Sequence, residues 1–372
     1  MTLTDTKIKN SKPQAKPYKL SDSEGIYLLV NPNLIDLCEI SWRFLMKNHS
    51  DRVTPTTSRR AVIPLLIMLC MSLFYAAANP ASSPAAEGSW SHYVQGTYGD
   101  FGFGVIPTAG FSFRNDLIYN KSSVDQRIFG GKAYAEATQD SVIDLMKFFY
   151  FYDVPVISGK IGFGALVPGV FNANADASLK AGSFQKAGSG HAGGFSDIAA
   201  LPLIVNANKG NFHFTFLPAI FLPTGYYNSN ELVSLGRNYY TLDLNVGFTW
   251  LDPKLGLETS FNLGYMVNSS NNTTSYSTGD EFHLDYMVAQ HLSERFGFGV
   301  TGYVYQQATG DTGTGAILGP DKSSAAGFGP AIMYSPNIFG KDFTIIGKWL
   351  HDTSAQNRFM GDTVFLSFAF AY

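Results

Sequence analysis

The chain has 372 residues, 45% apolar and 15% aromatic, with a formal net charge of −3 and two cysteines. From Glu87 onward 16 lysines and arginines stand against 23 aspartates and glutamates, a net charge of −7, which excludes the basic face that a nucleic-acid partner requires. Both cysteines, Cys38 and Cys70, precede that point, so neither a disulfide nor a thiolate metal centre is expected in the chain from Glu87 onward, and no other cofactor is expected.

Residues 1–45 fit no secretory logic and read as an over-long start or a disordered extension. Met46-Lys47 makes a better start, and residues 46–86 read as a signal peptide. Arg59 and Arg60 lead into the apolar run from Ala61 to Ala78, and Ala76-Ala77-Ala78 and Ser83-Pro84-Ala85 supply small residues for cleavage. Pro64, Asn79 and Pro80 disfavour a membrane anchor. Residues 87–108, rich in glycine and aromatics, read as a segment of the periplasmic mouth or a plug, with Tyr93, Tyr98, Phe101, Phe103 and Pro107 as gate candidates.

From Ala109 to the end, alternating segments are separated by turn-forming residues, the pattern of transmembrane strands. Strands are expected at 109–120, 132–151, 157–176, 194–207, 211–223 and 237–250, then at 255–267, 279–291, 295–309, 323–335, 340–351 and 362–372. These form an all-β, antiparallel, up-and-down barrel of about twelve strands, closed because an open edge cannot sit in lipid with its backbone groups unpaired. Brief links such as Asp153-Val154-Pro155 and Asn208-Lys209-Gly210 alternate with longer ones rich in Gly, Ser, Asn and Thr. Short periplasmic turns and long external loops are the rule for outer-membrane barrels, and an even strand number places both termini on the periplasmic side. The run Gly188-Ser189-Gly190-His191-Ala192-Gly193-Gly194 reads as a flexible external loop.

The faces are set by the two-residue period. Tyr240, Leu242, Leu244, Val246, Phe248 and Trp250 would meet lipid, while Thr241, Asp243, Asn245, Gly247 and Thr249 would face inward. The last strand places Val364, Leu366, Phe368, Phe370 and Tyr372 on one apolar face. Phe368, Phe370 and the terminal Tyr372 resemble the assembly signal of bacterial outer-membrane barrels, which implies the barrel-assembly machinery and outer-membrane lipid as partners.

The stretch His92-Tyr93-Val94-Gln95-Gly96-Thr97-Tyr98-Gly99-Asp100-Phe101-Gly102, with Ile106-Pro107-Thr108-Ala109-Gly110 after it, carries a family resemblance. Gly194-Phe195-Ser196-Asp197-Ile198, Leu222-Pro223-Thr224-Gly225, Leu235-Gly236-Arg237-Asn238-Tyr239-Tyr240, Tyr276-Ser277-Thr278-Gly279-Asp280-Glu281-Phe282-His283, Gln306 with Asp311, and Gly327-Phe328-Gly329-Pro330 come next in order. Together they resemble the meta-pathway-of-phenol-degradation family of outer-membrane, transporter-like barrels over about residues 88–372. Ser196 and Thr108 depart from the glycine and proline expected there. The resemblance implies a small-molecule channel for hydrophobic or aromatic compounds rather than an enzyme.

Projecting the alternation inward gives lumen candidates: Arg114, Asp116, Glu136, Asp197, His213, Asp243, Asn245, Glu258, Asn262, Glu281, His283, Asp285 and Lys348. Facing inward spares them the lipid cost, roughly 2–4 kcal/mol for a basic residue at the bilayer midplane. Each can be read as a structural ion-pair partner; as a set, Asp243, Glu258, Glu281 and Asp285 make an acidic strip that would favour cations. Gly297-Phe298-Gly299-Val300-Thr301-Gly302 matches a dinucleotide fingerprint by letters only, since no helix is expected after it. The six histidines after residue 86 show no metal-ligand spacing. The reading is passive entry of a small hydrophobic or aromatic solute through the outer membrane. A structural or adhesive barrel with a closed lumen is the alternative, and a lipid hydrolase comes third.

Overall fold

The structure, a computed structural model, describes residues 87, 90–106, 108–128, 133–317, 319–320, 322–338 and 340–372. The expected extension 1–45, the signal peptide 46–86 and Pro107 lie outside them. The strands are β1 (Gly110–Ile128), β2 (Ala133–Val154), β3 (Gly159–Ala181), β4 (Phe184–Phe195), β5 (Ala199–Lys209), β6 (Phe212–Phe221) and β7 (Thr241–Asp252). Then come β8 (Leu257–Asn268), β9 (Glu281–Ser293), β10 (Phe296–Gln307), β11 (Ser324–Tyr334), β12 (Asn337–Ile338), β13 (Lys341–Gln356) and β14 (Met360–Ala371).

Every pairing is antiparallel between near neighbours in sequence, β1 joins β14, and β11 joins β13, so the sheet closes on itself. Twelve strands make the wall. The remaining two are the outer extension β4, which pairs only with β3, and the two-residue β12, which pairs with the start of β13. Closure removes every edge within the wall, which is what lets a sheet reside in hydrocarbon.

Alternation sets the two faces. Along β7 the residues from Thr241 to Thr249 at odd positions are buried, while Leu242, Leu244 and Val246 are exposed. Outward aromatics stack across strands: Phe248 lies between Phe214 and Phe261 at 5.3 and 4.9 Å. At the seam where the first and last strands meet, Phe370 of β14 lies 5.6 Å from Phe113 of β1 and 5.9 Å from Phe343 of β13. Each such pair is worth about 0.5–1.5 kcal/mol beyond burial.

Three expectations change. Segments taken as external loops are strands: β1 and β2 pair out to Ile128 and Ala133, and β3 pairs with β4 through Gly188–Gly194. Their small and polar residues hide the strands from a hydropathy pattern, because beyond the membrane neither face must be apolar. The strand expected at 194–207 breaks at Ser196–Ile198. There the Asp197 carboxylate accepts the amides of Gly225 at 2.8 Å and Arg237 at 2.6 Å, pinning the β6–β7 loop. Lastly, Glu87 lies at the long-loop end of the barrel, not at the end where β1 begins. Glu87 accepts hydrogen bonds from Tyr227, Thr274 and Asn271 in the long loops, at the opposite end from Tyr372.

β5 carries one residue more than either neighbour between its matched pairs, a β-bulge. Residues 201–204 face only 217–219 of β6 without ladder pairing, and Pro202 and Pro218, which lack N–H donors, sit there.

Candidate functional site

Residues 90–106 run through the lumen from the long-loop end to the short-turn end, where β1 begins. At the top, His92 bridges Thr241 at 2.8 Å and Asp197 at 2.9 Å, and its ring stacks on Phe221 at 4.7 Å. Tyr93 and Tyr98 next stack on His283 of β9, with ring centroids 4.2 and 5.4 Å away. Their hydroxyls donate to Asp285 at 2.9 Å and to Asp243 at 3.2 Å, the two carboxylates that also flank His283. Lower down, the Gly102 amide donates to Glu258 at 2.6 Å and the Gly104 amide to Thr249 at 2.8 Å. A Cβ on Gly104 would fall 2.9 Å from the backbone of both His213 and Thr249, so this approach of the segment to the wall backbone requires glycine.

The opposite wall is basic. Arg114 pairs with Asp100 of the lumenal segment and with Asp116 at 2.6 Å, and Lys147 meets Asp116 at 2.7 Å. Lys348 donates to the carbonyls of Gly96 at 2.8 Å and Gly99 at 3.1 Å and lies over Phe365 at 4.5 Å. The lumen is thus polarised across its width, with bases on β1, β2 and β13, acids on β7 to β9, and the segment between them.

Asp116, Asp243, Asn245, Glu258, Asn262, Glu281, His283, Asp285 and Lys348 are buried inside, and Arg114 and His213 are half-buried there. Asp197 is buried too, but in the break between β4 and β5 rather than on a strand. Glu136 is a correction. It is exposed, because β2 directs its odd-numbered residues Ser141, Leu145 and Lys147 inward. The acidic strip is also reassigned: Asp243, Glu258 and Asp285 receive hydrogen bonds from the segment instead of presenting free charge to a solute. Of the gate candidates, Tyr93 and Tyr98 are buried and Phe101 and Phe103 half-buried within the lumen. Of the three residues expected to form an assembly signal, Phe368 and Tyr372 face outward and Phe370 is half-buried.

Sequence reasoning missed Lys147, His92, Tyr303, Tyr305 and Arg358, all lumenal. Lys147 was legible: both faces of β2 are apolar around it, and a lone charge there must turn away from lipid. Tyr303 and Tyr305 gave no such signal, since an aromatic suits either face.

A cavity of about 540 Å3 lies between the segment and the wall of β1 to β3. Its floor is apolar, formed by Ile118, Ile143, Leu145, Leu166 and Val170, and its upper rim carries His92, Asp197 and Arg237. Such a volume and such a lining suit a small organic molecule.

A model of the family described as "Putative MetA-pathway of phenol degradation" matches residues 125–368. Among solved structures, the chain is similar to an outer membrane channel from Pseudomonas putida F1, at 12% identity with a TM-score of 0.58, covering 76% of this chain and 100% of that one. The likeness shows a shared barrel fold. The transport unit of the autotransporter AIDA-I from Escherichia coli (10% identity, 72% of this chain and 91% of that one) superposes with a TM-score of only 0.37. No curated protein sequence matches the chain.

Proposed function

The chain belongs to the family described as "Putative MetA-pathway of phenol degradation", and from that premise we propose that it is a bacterial outer-membrane channel for passive uptake of small hydrophobic or aromatic molecules. The observation that carries this reading is the apolar-floored cavity of about 540 Å3 inside a closed barrel, bounded by a segment rather than by a solid core. Residues 90–106 act as the gate in this reading, with Tyr93, Tyr98, Phe101 and Phe103 as its aromatic contacts. The inward charges select by holding that gate, and Phe368, Phe370 and Tyr372 address the barrel-assembly machinery. The chain performs no chemistry on its solute.

The competing reading, a structural or adhesive barrel, draws on the same occupied lumen and on the strands β1 to β4 that project past the wall. Flux separates the two. Liposomes carrying the chain from Glu87 should admit apolar solutes and exclude sugars, and deletion of residues 88–108 should make them leaky to both. No flux from either protein, with both folded, would transfer the assignment to the structural reading.

A further inference from the structure

A second, much smaller crevice of about 30 Å3 adjoins the large cavity, and Trp90, Tyr93, Ile118, Ser141 and Ile143 line both. Two buried polar side chains at this junction have unused hydrogen-bonding capacity. Ser141, 5% exposed, has no partner for its hydroxyl. Arg358, 4% exposed, donates from Nη2 to the Tyr93 carbonyl at 3.2 Å and lies over the Tyr305 ring at 4.1 Å, while Nε and Nη1 are unmatched. Buried donors without acceptors are costly, so the pair marks a place where an acceptor atom is wanted.

Charge decides which acceptor. The acidic side chain of Asp352 lines the same crevice as Arg358 but already accepts from the Tyr303 hydroxyl and the Gly361 amide, so Nε and Nη1 of Arg358 are left without an acceptor. A carboxylate ligand would be forced beside that acidic side chain. The crevice holds about one oxygen-sized group, whereas the cavity beside it is floored with hydrocarbon.

We propose that Ser141 and Arg358 form a binding subsite for a neutral, oxygen-bearing hydrophobic molecule, such as a ketone, ester or alcohol on an aromatic or aliphatic body. The oxygen accepts from Arg358 and from the Ser141 hydroxyl, and the body occupies the apolar cavity. This inference rests on the reading of the lumen as a solute route and specifies its solute class. Because Arg358 also holds the Tyr93 carbonyl, the ligand touches a residue that fixes the lumenal segment.

Acetophenone, ethylbenzene and benzoate test it, titrated calorimetrically into the detergent-solubilised chain from Glu87 and its Ser141→Ala and Arg358→Gln variants. Micelle partitioning of each ligand is common to all three proteins, so the ratio of dissociation constants reads the site. Each variant should weaken acetophenone about tenfold, as for loss of a hydrogen bond in a buried site, and leave ethylbenzene unchanged. Benzoate should bind more weakly than acetophenone to the parent protein. Equal effects on ketone and hydrocarbon, no effect on either, or tightest binding of benzoate would overturn the proposal. Should Arg358→Gln fail to fold, as judged by heat-modifiable gel mobility, Ser141→Ala decides alone. Liposome flux keeps the two readings apart: ketone-selective binding without flux of any solute removes the channel and keeps the subsite, while flux without ketone selectivity removes the subsite.

Discussion

The Tyr93 ring of the lumenal segment stacks on the His283 imidazole of the barrel wall at 4.2 Å, and its hydroxyl donates to Asp285 at 2.9 Å. One side chain therefore joins the segment to the wall by both packing and a charge-assisted hydrogen bond. Tyr93→Phe should keep the stack and lose the bond, costing about 1–3 kcal/mol because Asp285 loses a buried donor. Tyr93→Ala should cost about 3–5 kcal/mol by analogy with other buried aromatic truncations and raise single-channel conductance. Planar-bilayer recordings check this; parental conductance in Tyr93→Ala would show that the contact does not hold the segment.

Gly264 makes that contact sterically possible. A Cβ there would fall 1.9 Å from His283 Nε2, so Gly264→Ala must push the imidazole out of its place between Asp243 and Asp285. It should reproduce the conductance of Tyr93→Ala although it alters the wall alone. Adding His283→Ala should relieve the clash, and a double variant no better folded than Gly264→Ala by urea titration would contradict the mechanism.

Lys348 fixes the other side of the segment through the Gly96 and Gly99 carbonyls, 3.6 Å from Asp100. Breaking a buried charge cluster at one member costs up to about 3–5 kcal/mol. Since Arg114 still faces Asp100, Lys348→Met should fall at the lower end of that range. Pairing it with Asp100→Asn should cost less than the sum of the single changes. Strict additivity in a double-mutant cycle would argue that the two charges do not interact.

Asp197 ties the β6–β7 loop to the wall, and its pH dependence has a definite sign. Burial pushes its carboxyl up, but hydrogen bonds from His92 and from the Arg237 and Gly225 amides outweigh this and hold it below the ordinary 3.8. With a lowered folded value, its stabilisation is complete above about pH 4 and is lost as pH falls through that lowered value. Hydrogen exchange across residues 224–237 should therefore stay slow from pH 7 to pH 4, after correction for intrinsic rates, and quicken only in stronger acid. Loosening already near pH 6 would point to another titrating group.

The aromatic seam should matter for closure. Phe370→Ala removes ring contacts to Phe113 and Phe343 and should cost about 1–3 kcal/mol. Folding kinetics into lipid vesicles should slow correspondingly; an unchanged rate would separate the terminal aromatics from assembly.

The wall of this barrel was legible in the chain because lipid imposes a strict two-residue period: the alternation from Tyr240 to Trp250 and from Phe282 to Tyr286 fixes which residues face in. Where that constraint is absent, so is the signal. β4 has no apolar face to reveal it, and the start of β2 around Glu136 is polar or small on both faces, so parity there rested on pairing with β1 and β3. The path of residues 90–106 was beyond any local pattern. It depends on carboxylates and bases from strands far apart in sequence, Asp285 and Asp243 on one side and Arg114 and Lys348 on the other, converging on one short segment. Sequence alone determined a closed, alternating wall, since each strand must satisfy lipid by itself; only the tertiary structure decided what fills the lumen, because buried charges choose partners by proximity in space.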